Sequence, residues 1–303
     1  MHTPLATTVP QPASGPLSAA RQLLADYIEL TKPKVQSLLL LTTVTTMEVA
    51  GSPSASLIAL TCLGGYLSAG GAAAINHVFD RDIDAQMKRT ASRPIPAGRI
   101  SPRAGVVFGL TLQALSFALL SLTINLLAAV LAFVGFIGYV GLYTMYLKRR
   151  TPQNIVLGGA AGAVPPLVGW AAVRGTVSWT AVYLFAIVFY WTPPHFWALS
   201  LLMKDDYARV GVPMMPVVRG EHETRRQILL YTLLLYGISQ LPFCAGAFGG
   251  VYLAASVTLG LLFIGGAMRL YRRADRRSAL HLYLYSLCYL ALLFGAMVAD
   301  VKL

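Results

Sequence analysis

The sequence predicts an all-α, polytopic membrane protein with nine transmembrane helices. Of its 303 residues, 56% are hydrophobic and 12% are charged, whereas soluble domains carry about 25% charged residues. Apolar stretches close to the roughly 20 residues that a bilayer requires recur along the chain. The basic residues fall almost entirely on one side of these stretches, which is typical of membrane insertion.

Taken in chain order, the apolar runs predict spans at 35–50, 55–79, 104–124, 126–147, 153–172, 178–203, 227–246, 249–269 and 279–299. Several spans contain Gly and Pro, which a membrane helix tolerates because neighbouring helices satisfy the freed backbone groups. Before the first span, residues 21–31 alternate apolar and polar side chains and predict a short interfacial helix. Residues 1–20 are rich in Pro, Ser, Thr and Ala and predict a disordered cytoplasmic tail, so residues 21–303 form a single domain.

The basic residues orient these spans. With the N-terminus in the cytoplasm, 22 of the 24 Lys and Arg residues lie on the cytoplasmic side, and only Arg174 and Lys302 lie outside. This distribution predicts an external C-terminus. It also explains the net charge of +12 through topology and anionic membrane lipid, so no nucleic-acid partner is needed.

An acidic cluster ends the second span. Asn76, Asp80 and Asp84 stand four residues apart, in a chain with only 12 acidic residues. On a helix, steps of four keep these side chains on one face, while Asp82 points away and is interpreted as an ion-pair partner of Arg81. Asn76 and Asp84 lie about 12 Å apart along the axis, too far for one Mg²⁺ to contact all three directly. The spacing therefore favours several ions, or an ion bridged by water and a polyanionic substrate.

A second acidic pair, Asp205 and Asp206, follows the sixth span. Adjacent helical positions point about 100° apart, so one of the two carboxylates is expected to face inward. That carboxylate could complete a metal site opposite the first cluster. The alternative is a helix-end ion pair with Lys204.

Basic residues lie where cytoplasmic loops meet the spans, on the same side as both acidic clusters. Arg binds phosphate through a planar fork, and Lys acts as a point charge. Carboxylates, Mg²⁺ and cations together suit an organic diphosphate, although simple topology signalling is the alternative for each residue. The candidates are Lys88, Arg93, Lys148, Arg149, Lys204 and Arg209.

The sixth span also carries Tyr190-Trp191-Thr192-Pro193-Pro194-His195-Phe196-Trp197. A histidine at membrane depth is a functional candidate by default. His195 could contact a metalloporphyrin, relay a proton or make a structural hydrogen bond between helices. The other candidate residues lining a cavity near this membrane face are Trp191, Phe196, Tyr143, Tyr146 and Asn154.

Together these motifs resemble the UbiA-type superfamily of intramembrane prenyltransferases, and within it the branch that farnesylates haem. The resemblance covers about residues 22 to 300. The superfamily's usual second motif, Asp-x3-Asp, is replaced here by the adjacent Asp205 and Asp206. The matching segments are Asn76-x3-Asp80-x3-Asp84, Leu30-Thr31-Lys32-Pro33-Lys34, Arg93-Pro94-Ile95-Pro96, Tyr143-Thr144-x3-Lys148-Arg149, Asn154-Ile155-Val156-Leu157-Gly158-Gly159, Pro194-His195-Phe196, Lys204-Asp205-Asp206-Tyr207 and Gly211-Val212-Pro213-Met214-Met215-Pro216.

The resemblance implies one intramembrane prenyltransferase domain in the cell inner membrane, with a central cavity opening to the cytoplasm. It implies Mg²⁺ as cofactor, farnesyl diphosphate as donor and haem b as a substrate. Farnesyl would join a haem vinyl group, and water would supply the new hydroxyl, giving haem O for haem-copper terminal oxidases. A homo-oligomer or a haem A synthase would be the protein partner.

The resemblance also assigns roles to residues. Asn76, Asp80, Asp84, Asp205 and Asp206 would hold the metal, and the six basic candidates would bind diphosphate. The cavity candidates, His195 included, would surround haem and the prenyl chain. The catalytic set would be Asp80, Asp84, Asp206 and Lys148.

Three other functions remain open from the sequence. The first is a sister prenyltransferase acting on an aromatic quinone precursor, against which the His195 run and the Asp205-Asp206 pair argue. The second is a cation-coupled transporter, although the acids lie at one rim of their spans and transport sites usually lie at the midplane. The third is a haem-binding assembly factor without catalysis.

Overall fold

Helices are the only regular secondary structure in the part of the chain that the structure, a computed structural model, describes: residues 16–303, with side chains from residue 19. The predicted all-α class is confirmed. The elements are α1 (Pro16–Leu30), α2 (Pro33–Ala50), α3 (Ala55–Phe79), α4 (Arg81–Gln86), α5 (Pro102–Thr123), α6 (Leu126–Ile137), a π-helical segment (Gly138–Leu147), α7 (Asn154–Gly162), α8 (Val164–Arg174), α9 (Trp179–Leu202), α10 (Lys204–Arg209), α11 (Met215–Val218), α12 (Gly220–Cys244), α13 (Gly250–Arg273) and α14 (Arg276–Lys302).

Helices cover all nine segments that were predicted to cross the membrane, and the chain is a multi-pass membrane protein. Two spans are composite, because α6 continues into the π-helical segment and α7 into α8. α2 and α9 carry more polar or aromatic side chains and are not among the seven sufficiently apolar helices, so the count of nine stays a prediction. Those seven are Ala55–Phe79, Pro102–Thr123, Leu126–Leu147, Asn154–Arg174, Gly220–Cys244, Gly250–Arg273 and Arg276–Lys302.

The N-terminal helix starts earlier than predicted. α1 begins at Pro16, so residues 16–20, predicted as tail, are helical, and residues 1–15 of that predicted tail lie outside the described part. Asp26 on α1 is buried and accepts hydrogen bonds from Arg99 at 3.0 Å. This guanidinium lowers the pKa of Asp26. The pair ties α1 to the loop between α4 and α5.

Six elements form a ring by successive contacts. α2 packs on α3, α3 on the π-helical segment, that segment on α7, α7 on α9, α9 on α14, and α14 on α2. α8 contacts α2, α3, α6 and α9, and lies at the far end of its span from the π-helical segment. The ring brings one end of α3, α7, α9 and the π-helical segment to the same rim.

The segments that follow α3 and α9 both contribute side chains to the hydrophobic core. Ile83 and Met87, after α3, share a buried cluster with Val212, Met214 and Met215, after α9. Burial of these apolar side chains stabilises the loops against each other. The two predicted acidic regions therefore both adjoin one hydrophobic core.

Close packing of α3 on α5 depends on facing glycines. A Cβ on Gly71 would lie 2.5 Å from the carbonyl oxygen of Gly109, whereas a Cβ on Gly237 would meet nothing within 4 Å. We expect Gly71→Ala to destabilise the protein by about 2 kcal/mol, because the backbones must separate. Thermal unfolding in detergent measures this, with Gly237→Ala as the matched control. Equal unfolding temperatures for the two variants would contradict the packing account.

Candidate active site

The first acidic motif lies where α3 passes into α4. Asp80 caps α3, yet its N–H donates to Asn76 O at 2.9 Å and its carbonyl accepts from Asp84 N–H at 2.7 Å. Because this helical course continues through the junction, Asn76, Asp80 and Asp84 all stay on the buried side, with exposures of 3%, 2% and 4%. Asp82 lies on the exposed side.

A hydrogen-bond network joins this motif to two other helices. Lys148 Nζ donates to Asp80 Oδ2 at 2.5 Å, and Asn76 Nδ2 donates to the same oxygen at 2.7 Å. Asn76 Nδ2 also lies 3.1 Å from Thr144 Oγ1, and Lys32 Nζ donates to Asn76 Oδ1 at 2.7 Å. The start of α2, the end of α3 and the end of the π-helical segment thus meet in one hydrogen-bond network around Asn76 and Asp80. π-Helical turns frequently mark functional sites.

The second carboxylate of the motif has its own cation. Arg93 Nη1 lies 2.6 Å from Asp84 Oδ2, and the Thr90 hydroxyl donates to the Asp84 carbonyl at 3.0 Å. Arg93 belongs to the loop of turns, residues 87–101, that follows α4. Each buried carboxylate is therefore paired with a cation, which such a charge requires at this depth.

The site retains capacity for a hard cation. Asp80 Oδ1 is buried and has no hydrogen-bond partner among residues 16–303. Within residues 16–303 no group of three His, Cys, Asp or Glu side chains is arranged to hold a metal. Mg²⁺ is commonly held by one or two carboxylates together with substrate phosphates and water. The carboxylates of Asp80 and Asp84 fit that kind of metal site, because one oxygen of Asp80 is available to the ion.

Lys32 is a site residue that the sequence reasoning missed. It precedes Pro33 with a left-handed backbone, φ 52°, a conformation that costs a non-glycine residue about 1 kcal/mol. Burial and the charges of Arg93 and Lys148 lower the pKa of Lys32 to about 7, against the opposing effect of the carboxylates. An anion entering the site would favour the charged form. A lysine directly before an apolar span was the available signal.

Two tyrosines of the π-helical segment form an aromatic wall beside the network. The rings of Tyr139 and Tyr143 lie 5.4 Å apart. Tyr143 packs so tightly on Gly158 of α7 that a Cβ at that glycine would overlap the ring. Tyr143 was predicted as a cavity residue, and Tyr139 was missed. An aromatic face at this position can stabilise a carbocation.

Tyr207 of α10 packs against the hydrophobic core that includes Ile83 and Met87. Burial raises its pKa, and charges on the opposite loops and the π-helical segment act on its hydroxyl. Its segment, Lys204-Asp205-Asp206-Tyr207, resembles the family, but the sequence alone assigns Tyr207 no role in the site. The charges are those of Lys148, Arg89, Asp80 and Arg93.

The structure does not bring the second acidic pair to the first motif through direct contacts. Asp205 is exposed, and Asp206 pairs with Arg209 at 3.2 Å. Lys204 pairs with Glu221 of α12 at 2.9 Å and not with either aspartate. The alternative pairing expected for Lys204 is therefore wrong. The metal and diphosphate roles of these residues stay predictions.

The outward side of α4 carries a separate ion pair. Arg149 donates to both carboxylate oxygens of Asp82, at 2.6 and 2.7 Å, and lowers the pKa of Asp82 to about 2. Arg81 instead donates to the carbonyl of Val78 at 2.9 Å. The expected pairing of Asp82 with Arg81 is thus wrong, because Arg149 reaches Asp82 from the π-helical segment's end. Lys88 is exposed.

The predicted cavity residues divide into two groups. Asn154 is fully buried, and its Nδ2 donates to the Lys148 carbonyl at 3.3 Å. Trp191 and His195 are also buried. Tyr146 is 53% exposed with the guanidinium of Arg150 over its ring, and Phe196 is 37% exposed. The cavity roles of Tyr146 and Phe196 stay predictions.

The fold and this site define a class: a membrane-embedded helical protein with a carboxylate, amide and lysine network at one rim, suited to a metal-bound polyanion. The model of the UbiA prenyltransferase family matches residues 38–294. The chain belongs to this family.

Curated relatives extend the comparison. The chain is 57% identical over 284 residues to protohaem IX farnesyltransferase of Chloroflexus aurantiacus, covering 93% of this chain and 48% of the relative. It is 50% identical over 287 residues to protohaem IX farnesyltransferase of Gloeobacter violaceus, covering 94% of this chain and 93% of the relative. The chain thus spans about half the length of the first relative and nearly all of the second.

Solved structures share the fold. A structure of digeranylgeranylglyceryl phosphate synthase has a TM-score of 0.77 at 21% identity, covering 93% of this chain and all of that one. A UbiA homologue from Archaeoglobus fulgidus, bound to DMAPP and Mg²⁺, has a TM-score of 0.67 at 15% identity, covering 92% and 99%. The helical ring is therefore the fold of this family.

Proposed function

We propose that this protein transfers the farnesyl group of farnesyl diphosphate to a vinyl group of haem b, giving haem O and diphosphate. One observation carries the proposal: Asp80 is buried with a free oxygen, inside a network that includes Lys148, Asn76 and Lys32. Relatives bearing the name protohaem IX farnesyltransferase, 57% and 50% identical, support haem as the acceptor.

The cations of the site would bind the diphosphate. Lys148, Lys32 and Arg93 converge on the rim from three different segments of the chain. As the C1–O bond of the donor breaks, negative charge builds on the leaving diphosphate, and preorganised cations stabilise it. Asp80 and Asp84 would hold Mg²⁺, which neutralises phosphate oxygens when bound. A UbiA homologue bound to DMAPP and Mg²⁺ supports this metal.

The aromatic wall would protect the allylic cation. Tyr139 and Tyr143 present aromatic rings beside the carboxylate network, and such rings attract cations. Exclusion of water there prevents hydrolysis of the donor. C1 of the farnesyl group then bonds to the terminal vinyl carbon of haem, and water adds its oxygen to the adjacent carbon and loses a proton.

The proposed location is the inner membrane, with the N-terminus in the cytoplasm and the C-terminus outside. The lopsided distribution of Lys and Arg supports this orientation. The diphosphate site would then open to the cytoplasm, where a soluble diphosphate product can leave. A homo-oligomer or a haem A synthase is the proposed protein partner.

Incubation of the purified full chain with haem b, farnesyl diphosphate and Mg²⁺ tests the function. We expect a haem product carrying farnesyl and hydroxyl, detected by mass. Chelation of Mg²⁺ with EDTA should abolish the product, and excess Mg²⁺ should restore it. A parallel reaction offers an aromatic quinone precursor as acceptor. Product on that ring and none on haem would overturn the proposal, as would full activity in EDTA.

A further inference from the structure

We propose that Nε2 of His195 coordinates the iron of the haem substrate, and that Ser286 is the positioning residue that makes this nitrogen available. The inference rests on the proposed function, because it assumes that haem enters the bundle. It adds a recognition contact for the acceptor on α9 and α14, whereas the diphosphate site lies at the end of α3. The buried imidazole of His195 makes contacts with Ser286, Trp191 and Tyr283.

The hydroxyl of Ser286 determines which nitrogen of His195 carries hydrogen. Ser286 Oγ lies 2.6 Å from the carbonyl oxygen of Tyr283 and 2.7 Å from His195 Nδ1. Two oxygens at 2.6 Å require a hydrogen between them, so the hydroxyl donates to the carbonyl. A serine has one such hydrogen, and therefore Nδ1–H must donate to Oγ. In a neutral imidazole, Nε2 then keeps its lone pair.

The ring is also held in orientation. Trp191 stacks on His195 with centroids 4.3 Å apart, and the Trp191 Nε1–H donates to the backbone carbonyl of Ser286 at 2.7 Å. Tyr283 stacks on the same imidazole at 4.9 Å. Ser286 itself is fully buried. The imidazole is thus fixed through two helices, α9 and α14.

This arrangement is what an iron ligand requires. A histidine that binds a metal donates its other ring N–H to a fixed acceptor, which sets the tautomer and the direction of the lone pair. A neutral imidazole is also stable among apolar side chains, where an isolated charge is not. His195 lies seven residues from the end of α9 at Leu202, about 10 Å below the rim. A porphyrin ligated there would lie within reach of the rim that holds the diphosphate site.

Absorption spectroscopy tests the ligation without catalysis. The purified full chain is titrated with ferric haem b in detergent, and the Soret band is recorded before and after reduction. We expect the wild type to show the spectrum of histidine-ligated haem. His195→Gly should lose it, and added imidazole should restore it by occupying the vacated ligand position. His281→Gly, at an exposed histidine of α14, is the matched control and should retain the wild-type spectrum.

Iron-free protoporphyrin IX separates ligation from packing. Because it has no iron, its affinity should be the same for the wild type and His195→Gly if ligation is the contact that is lost. Ser286→Ala should weaken ferric haem binding by about tenfold or more, as loss of such a supporting partner does. Ser286→Thr keeps a hydroxyl, so this variant should bind ferric haem with an affinity near that of the wild type. Equal protoporphyrin affinity also confirms that each variant is folded.

The outcomes distinguish this inference from the proposed function. An unchanged Soret spectrum in His195→Gly overturns ligation, even if farnesyl transfer is lost, and would leave proton transfer as the role of this histidine. A wild type that ligates haem through His195 but never forms the farnesylated product overturns the proposed function and leaves the ligation intact. Equal haem affinities for Ser286→Ala and the wild type overturn the positioning role of Ser286.

Discussion

Asp80→Asn will lower the rate of farnesyl transfer by about 10³-fold. Removal of one group that stabilises transition-state charge has an effect of this size in other active sites. The substitution keeps the size of the side chain. It removes the negative charge that Lys148 contacts at 2.5 Å. Because Lys148 and Asn76 both donate to Oδ2, the amide oxygen stays on their side, and an NH2 group replaces the free oxygen available to Mg²⁺. Product formation by mass, at saturating farnesyl diphosphate and a range of Mg²⁺ concentrations, measures the loss. Excess Mg²⁺ should not restore the rate.

Asp82→Asn is the matched control for Asp80. It lies two residues away, is exposed and pairs with Arg149. Because exposed ion pairs contribute about 0–1 kcal/mol, this variant should fold and transfer farnesyl near the wild-type rate. Similar losses in both variants would contradict the assignment of Asp80 to the site. So would wild-type activity in Asp80→Asn.

Lys148→Met will have the second large effect, on both activity and stability. The lysine side chain is 13% exposed and its partner Asp80 2%. Among residues 16–303, its removal leaves the buried carboxylate with only the hydrogen bond from Asn76. We therefore expect the cost of an uncompensated buried charge, about 3 kcal/mol. Farnesyl transfer should fall about 10²-fold, because one of the diphosphate cations is lost. Thermal unfolding and steady-state kinetics measure the two effects separately.

The double variant Asp80→Asn with Lys148→Met identifies the cause. If the two side chains act as one network, the stability loss of the double variant should be smaller than the sum of the single losses. Arg150→Met, at an exposed cation that stacks on Tyr146, is the control and should leave both measurements near wild type. Additive losses would mean that Lys148 and Asp80 stabilise the protein independently.

The four-residue spacing was enough to predict the first acidic motif, because the arrangement of its side chains depends on one continuous helical course. Asn76, Asp80 and Asp84 remain on a buried side even though α3 ends at Phe79, since the backbone hydrogen bonds run through the junction. The same spacing placed Asp82 outward. The sequence predicted Arg81 as the partner of Asp82. The true partner is Arg149, which comes from a segment 67 residues further along the chain.

Other site residues escaped the sequence for a related reason. Lys32 reaches Asn76 across 44 residues, and Ser286 reaches His195 across 91. Neither pairing has a periodicity or a motif. Lys204 lies in a recognisable motif, yet its ammonium group turns to Glu221 on α12. A residue type shows which chemistry is available, but not which neighbour is within reach.

The amino-acid sequence by itself determined the all-α membrane class, the family and the acidic rim of α3. These properties follow from hydropathy, charge distribution and helical periodicity, all of which act over short stretches of chain. Only the tertiary structure decided that Lys148 neutralises Asp80, that Asp205 is exposed, and that Ser286 holds His195. Such contacts depend on how six helices close into a ring, because hydrogen bonds and ion pairs require atomic proximity that no local pattern encodes.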